Sequence, residues 1–444
     1  MSLTGKEVQE LHKQYILQSW SKAGQDVLPI EKAKGIYFWD YDGKKYADMA
    51  SLLVCSNLGH ELPEIVDAIK EQADKMCFMA PAYASEPKSE LAKLLVEAAG
   101  ADTYKRVFFA NAGAESNENA IKMARMVTGR TKIFSCYRSY HGATLGSSNA
   151  SGDWRRFAAE IGGANGFVKF MNPHMYRDGY TKGVDDAEVT KKALEALDLQ
   201  LRYEGTDNVA AILMESIVGA NGVILPPDGY MEGVRALCDK YGIMMICDEV
   251  MMGWGRTGET FAFENWDVKP DLVSFAKGIT CGYVPLGGVI VDKKIADYFD
   301  DHKLMCGLTY SGHPLACAAG LATLDVYKEE KLVERSKAMG KILGQIEEEL
   351  KRKHPCVGDV RYKGLFSAIE LVKDKETKEP LVEYNKDPEN IMGGIIGKLK
   401  KKGFSTYSHE NNIIIAPPLI ITETELRDAM AIMDEVLTDV DAMI

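Results

Sequence analysis

The stretch IMMICDEV, residues 243–250, is an almost unbroken apolar run that ends in two adjacent carboxylates, Asp248 and Glu249. A run without polar alternation fits a strand buried on both faces, and such strands belong to parallel sheets covered by helices. Similar runs occur upstream at 209–215 (VAAILME), 132–137 (KIFSCY) and 106–111 (RVFFAN), and downstream at 272–276 (LVSFA) and 287–292 (GGVIVD). Helical patterns lie between them, for example at 115–127 and 229–241. This alternation predicts an α/β fold with a mostly parallel central sheet flanked by helices.

The flanks read differently. A Lys- and Glu-rich helix is predicted over 331–353, followed by GDVRYKGLFSAIELV (358–372), a short strand NIIIA (412–416) and a last helix opening at the capping box Thr422-x-x-Glu425. This pattern predicts a small α+β domain. Two short strand candidates near the N-terminus, 35–40 and 44–48, are joined by the turn Asp42-Gly43. The expected division is an N-terminal segment, 1–60, packing with the small domain; a large domain, 61–325; and the small domain, 326–444.

The 444 residues are 46% hydrophobic and 27% charged, an ordinary globular balance that excludes a disordered or collagen-like chain. The net charge of −12 argues against non-specific binding to nucleic acid or anionic membrane. No run of 18 apolar residues offers a membrane span, and MSLTGKEVQELHKQ at the start lacks the apolar core of a secretion signal. The nine cysteines form no CxxC pair, and several lie in strand-like runs. They read as reduced, mostly buried thiols of a cytoplasmic protein, with no disulfide frame and no metal site.

Four local signals carry chemistry. Asn111-Ala-Gly113-Ala114-Glu-Ser-Asn117 follows a strand and opens a helix, where small residues let an anion approach backbone N–H groups; alone it is equally a tight turn. Asp248 closes a strand and faces the crevice where open α/β sheets bind ligands, or else caps a strand end. Lys277, in SFAKG, closes another buried strand; a surface lysine is the plainer alternative. Tyr140, on a strand-end loop, can stack on a flat ring, whereas His141 alone reads as a core histidine. Together they meet the demands of pyridoxal 5′-phosphate: an amine for its aldehyde, a carboxylate for its pyridinium nitrogen, N–H donors for its phosphate and an aromatic face for its ring.

The chain resembles the class III aminotransferases, pyridoxal-phosphate enzymes of the aspartate-aminotransferase fold (fold type I), over nearly its full length. The resemblance rests on FWDYDGKKYADM (38–49), NLGH (57–60), PPDGY (226–230), DEVMMGWGRTG (248–258), AKG (276–278), TYSGHP (309–314) and APPLIIT (416–422). It implies Lys277 as the Schiff-base lysine and proton shuttle, and Asp248 as the partner of the pyridine nitrogen. It implies Tyr140 and Val250 on the two ring faces and backbone contacts from Gly113 and Ala114 to the phosphate. Thr309 would serve the phosphate site of the neighbouring subunit in a homodimer, and His141 would buttress Asp248. Family members usually carry Ser or Thr where this chain has Ala114. Glu215 matches a Glu-Pro pair in which Ser216 replaces the proline, and Arg256 is expected to be structural.

The resemblance also bears on the substrate. Class III enzymes commonly bind a substrate carboxylate with an arginine before the APPL stretch; the two positions used are Ile414 and Tyr407 here, and the masking Glu of ornithine-type members is Ala220. The alternative cation lies in Gly152-Asp153-Trp154-Arg155-Arg156, with Arg156 preferred over Arg155. Leu53, Val54, Met79 and Tyr83 resemble pocket positions of ω-amine aminotransferases. An apolar pocket with a distal cation suits an ω-amino acid or an aminosulfonate such as taurine, with 2-oxoglutarate or pyruvate as acceptor. Dialkylglycine decarboxylation, aminomutation and racemisation share this fold and cofactor. A non-catalytic cofactor binder has no need of the retained Lys277 and Asp248. No GxGxxG between strand and helix and no GxxxxGK[ST] supports a nicotinamide enzyme or a P-loop NTPase.

Overall fold

Seven strands form the central sheet: β1 (Tyr104–Ala110), β2 (Lys132–Cys136), β3 (Phe167–Phe170), β4 (Val209–Glu215), β5 (Met244–Asp248), β6 (Leu272–Phe275) and β7 (Gly287–Asp292). The computed structural model describes residues 3–160, 165–177 and 185–444. The spatial order is β1-β7-β6-β5-β4-β2-β3. Pairs β2–β3, β2–β4, β4–β5 and β5–β6 are parallel, and β7 runs antiparallel to both β6 and β1. The expected mostly parallel sheet is therefore observed, with β7 as its reversed strand. Every residue of β4, β6 and β7 is buried, which is why these segments lack polar alternation.

Register places the carboxyl ends side by side. Glu215 of β4 pairs with Asp248 of β5, and Asp248 pairs with Ser274 of β6, three residues before Lys277. Helix α1 (Gly113–Thr128) follows β1. Its N-cap, Ala112, offers no side-chain hydrogen bond, so the first-turn N–H groups are left without a cap.

Outside the sheet, Leu332–Lys353 and Glu423–Asp441 are helices, the second opening at the Thr422/Glu425 capping box. Val357–Tyr362, Ser367–Asp374 and Asn412–Ile415 build an antiparallel sheet with Ser408–His409 at its edge. Tyr37–Asp40 and Lys45–Asp48 form a hairpin, and Lys45–Asp48 also pairs in parallel with Phe404–Ser405. Strands Ile30–Lys34 and β3 go beyond the sequence expectation. Both are edge strands, and β3 is only four residues long with Lys169 inside it, so neither carries a clear apolar run. No disulfide joins any of the nine cysteines, and no helix among the described residues is long and apolar enough to cross a membrane.

Arg256 ties these parts together. Its fully buried guanidinium donates to Leu365 O (2.9 Å), Pro417 O (2.5 Å), Ser51 Oγ (3.0 Å) and Asn57 Oδ1 (2.6 Å). A cation that deep is tolerable only with such a set of acceptors.

Candidate active site

The carboxyl ends of β4, β5 and β6, the start of α1 and the loop after β2 enclose a cavity of about 220 Å³. Its walls include Gly113, Ala114, Tyr140, His141, Glu215, Asp248, Val250 and Lys277, together with Gly142, Ala143, Ala220, Met251 and Met252. Residues spread over more than 160 positions thus meet in one place, at the crevice where open α/β sheets bind ligands.

Asp248 is 3% exposed and held from three sides. Its Oδ2 lies 2.7 Å from His141 Nδ1 and accepts from Asn117 Nδ2 at 2.7 Å, while Oδ1 accepts from the backbone N–H of Val250 at 3.0 Å. Asn117 also donates to His141 O at 2.8 Å, so one amide fixes both partners. The sequence pattern includes Asn117 without assigning it a role; its position one helical turn after Gly113 is the signal that points to it.

Lys277 opens a short turn after β6 with φ +50°, a left-handed conformation a non-glycine residue rarely adopts. Burial holds its ammonium below the ordinary lysine range, against the opposing pull of Cys55, Asp248 and Glu215. Glu215 is 5% exposed; its Oε1 accepts from Tyr140 N–H (2.9 Å) and its Oε2 from Gly219 N–H (2.8 Å). Burial pushes its carboxyl up to about 7, with Asp248 adding to the rise and His141 opposing it. Ser216, which stands where the family has proline, donates its hydroxyl to the buried Glu249.

The walls are close. A Cβ added to Gly113 would lie 2.7 Å from Val250 Cγ1, and one added to Gly142, at φ +135°, would lie 2.5 Å from Ala114 Cβ. Side chains at either position would fill the cradle. A flat ring bearing a phosphate and an aldehyde fits what is present: a carboxylate, an amine held toward its neutral form, an uncapped helix N-terminus and the Tyr140 and Val250 side chains.

Several expected site residues lie elsewhere. Thr309 is exposed, and Leu53 and Tyr83 are 51% and 64% exposed; none lines the cavity. Met79 is half-buried and also outside it. Val54 is 1% exposed and packs with Met252, Ile414 and Tyr407 in a cluster adjoining the cavity wall. Arg156, the arginine preferred from the sequence, does not line the cavity. Its guanidinium is occupied by Glu160 (2.7 Å), Gly152 O (2.8 Å) and Asp153 O (3.0 Å). Arg155 instead lies 3.6 Å from the centroid of the Tyr140 ring. The two arginines sit in one 3₁₀ turn, Trp154–Arg156, in which adjacent residues point in different directions. Trp20, which no sequence motif singles out, meets the Tyr140 ring edge-on at 6.5 Å and lies 5.9 Å from the Arg155 guanidinium.

Comparison with known proteins identifies the family. The family profile for class III aminotransferases matches residues 20–437. The chain is 67% identical to the taurine:2-oxoglutarate aminotransferase of Bifidobacterium kashiwanohense, solved in complex with PLP and glutamate; the match covers 100% of this chain and 99% of that one, with a TM-score of 0.98. It is 35% identical to an (S)-enantioselective omega-transaminase of Thermomicrobium roseum, covering 99% and 100% of the two chains with a TM-score of 0.92. It is 33% identical over 435 residues to the taurine–pyruvate aminotransferase of Bilophila wadsworthia, covering 92% of each. The chain belongs to the class III aminotransferases and is a pyridoxal-phosphate-dependent transaminase.

Proposed function

We propose that the enzyme moves the amino group of an ω-amino acid or aminosulfonate of the taurine type to 2-oxoglutarate or pyruvate, in two alternating half-reactions. The observation that carries the substrate reading is Arg155, a cation 3.6 Å from the Tyr140 ring beside an otherwise largely apolar cavity. The likeness to taurine-named aminotransferases supports it. The uncharged positions Ile414 and Tyr407, where an α-carboxylate arginine would stand, point the same way.

When bound, pyridoxal phosphate supplies an aldehyde that captures amines and a ring that accepts an electron pair. In this reading the N–H groups at Gly113 and Ala114 hold its phosphate, and Tyr140 and Val250 confine the ring. Asp248, oriented by His141 and Asn117, keeps a proton on the ring nitrogen, because a fixed carboxylate favours the cationic form. Lys277 Nζ, biased toward the neutral amine by burial, takes the proton from the substrate carbon that bears nitrogen and would deliver it to the former aldehyde carbon of the bound group, so that the nitrogen stays with that group. Glu215 fixes the Tyr140 loop by accepting its backbone N–H. Arg155 meets the anionic tail with donors its own partners leave unused. Thr309, exposed and away from its own cavity, is assigned to the second site of a homodimer working in the cytoplasm.

The test is a donor panel with the holoenzyme and Arg155→Ala. The expected result is turnover of 2-aminoethanesulfonate that falls about 100-fold in the variant, consistent with loss of a charge-assisted pair, with a smaller fall for a neutral amine. Equal falls for both donors would overturn the substrate reading.

A further inference from the structure

Arg155 does not hang free beside Tyr140. Asp153, whose side chain is fully buried, accepts from Arg155 Nε at 2.7 Å and also from Nη2. The other oxygen of Asp153 caps the same turn by accepting from Arg155 N–H at 3.0 Å. Asn221, on the segment after β4, donates to Asp153 at 3.3 Å. From the other side His409 Nε2 stands 4.0 Å away, on the edge strand Ser408–His409.

A buried carboxylate beside a cation usually neutralises it, so an arginine meant only to attract anions gains nothing from this partner. What Asp153 does provide is position. A free arginine side chain samples many rotamers, and that freedom is lost again each time a substrate is bound. Here that ordering is done in advance. Nε and one Nη2 hydrogen are engaged, while Nη1 has no hydrogen bond among the described residues and stays available. Burial and the Arg155 charge hold the His409 imidazole down to about 4, so it stays neutral and does not compete for Asp153.

We propose that Asp153, steadied by Asn221, is the positioning residue that locks Arg155 over Tyr140 and thereby sets the length of the anionic donor the enzyme accepts. The proposal rests on the reading that Arg155 receives the anionic tail. A locked guanidinium fits one separation between amine and anion; a loose one fits several.

The experiment compares 2-aminoethanesulfonate, 3-aminopropanesulfonate and a neutral alkylamine on holoenzyme, Asp153→Asn, Asn221→Ala and Arg155→Ala. In Asp153→Asn, KM for the preferred sulfonate should rise about 10-fold with kcat changed less than about 3-fold, the signature of lost preorganisation. The preference between the two sulfonates should flatten. Asn221→Ala should move both in the same direction by a smaller factor, and it decides the matter if Asp153→Asn does not fold. Unchanged length preference in both variants, or an equal loss with the neutral amine, overturns the proposal. If Arg155→Ala itself does not separate anionic from neutral donors, it is the substrate reading that falls. If Arg155→Ala separates them and the other two variants do not, only the role of Asp153 falls.

Discussion

His141 Nδ1 and Asp248 Oδ2 lie 2.7 Å apart with side chains 0% and 4% exposed. A carboxylate this deep depends on its partners, because water cannot replace a missing donor. His141→Ala should therefore weaken cofactor retention and lower kcat by about 10-fold or more, on the scale of one lost charge-assisted hydrogen bond. Asn117→Ala should act similarly, and the double variant should lose less than the sum, since both hold one oxygen. Cofactor titration by absorbance and steady-state rates check this; additive losses would mean that the two act separately.

Lys277 tests the chemistry directly. Lys277→Ala should retain the fold but lose turnover by at least about 1000-fold, as expected when the group that moves the proton is removed. Borohydride should fix the cofactor to the parent chain and not to the variant. Peptide mapping after reduction decides whether residue 277 carries the bond.

The strands are legible in the sequence because burial on both faces writes an apolar run, and β4 through β7 carry one each. The end-of-strand residues Glu215, Asp248 and Lys277 follow from those runs. Asn117 and Trp20 do not, because their parts depend on packing across 131 and 120 positions, to Asp248 and Tyr140. The choice between Arg155 and Arg156 is out of reach for a different reason. Both are arginines in one turn, and only the Asp153 carboxylate on one side, and Glu160 with the Gly152 and Asp153 carbonyls on the other, separate their directions.

Glu215 predicts a pH effect on catalysis. Its carboxyl sits at about 7, and both oxygens accept backbone N–H bonds. Protonation turns one oxygen into a donor facing a donor, which loosens the Tyr140 loop. The parent enzyme should lose kcat/KM on the acid side with an inflection near pH 7. In Glu215→Gln that inflection should vanish, on a lower plateau. An unchanged acid limb would assign the inflection to another group.

Glu347 predicts a pH effect on stability alone. In helix Leu332–Lys353 it is fully buried, with Oε1 accepting from Ser367 Oγ at 2.5 Å and Oε2 buried without a partner. Burial raises its carboxyl to about 8, from an ordinary value near 4.5. The folded state thus favours the protonated form. Its contribution is fully present below pH 4.5, declines as pH rises and is lost once pH passes 8. The loss should reach a few kcal/mol, because every tenfold difference in proton affinity between the folded and unfolded chain is worth about 1.4 kcal/mol. Glu347→Gln keeps the shape, accepts the Ser367 hydrogen bond and cannot ionise. Its thermal midpoint should match the parent at about pH 4, exceed it increasingly up to about pH 8 and keep a constant lead above that. Parallel midpoint curves across that range would show that the carboxyl finds a partner when it ionises.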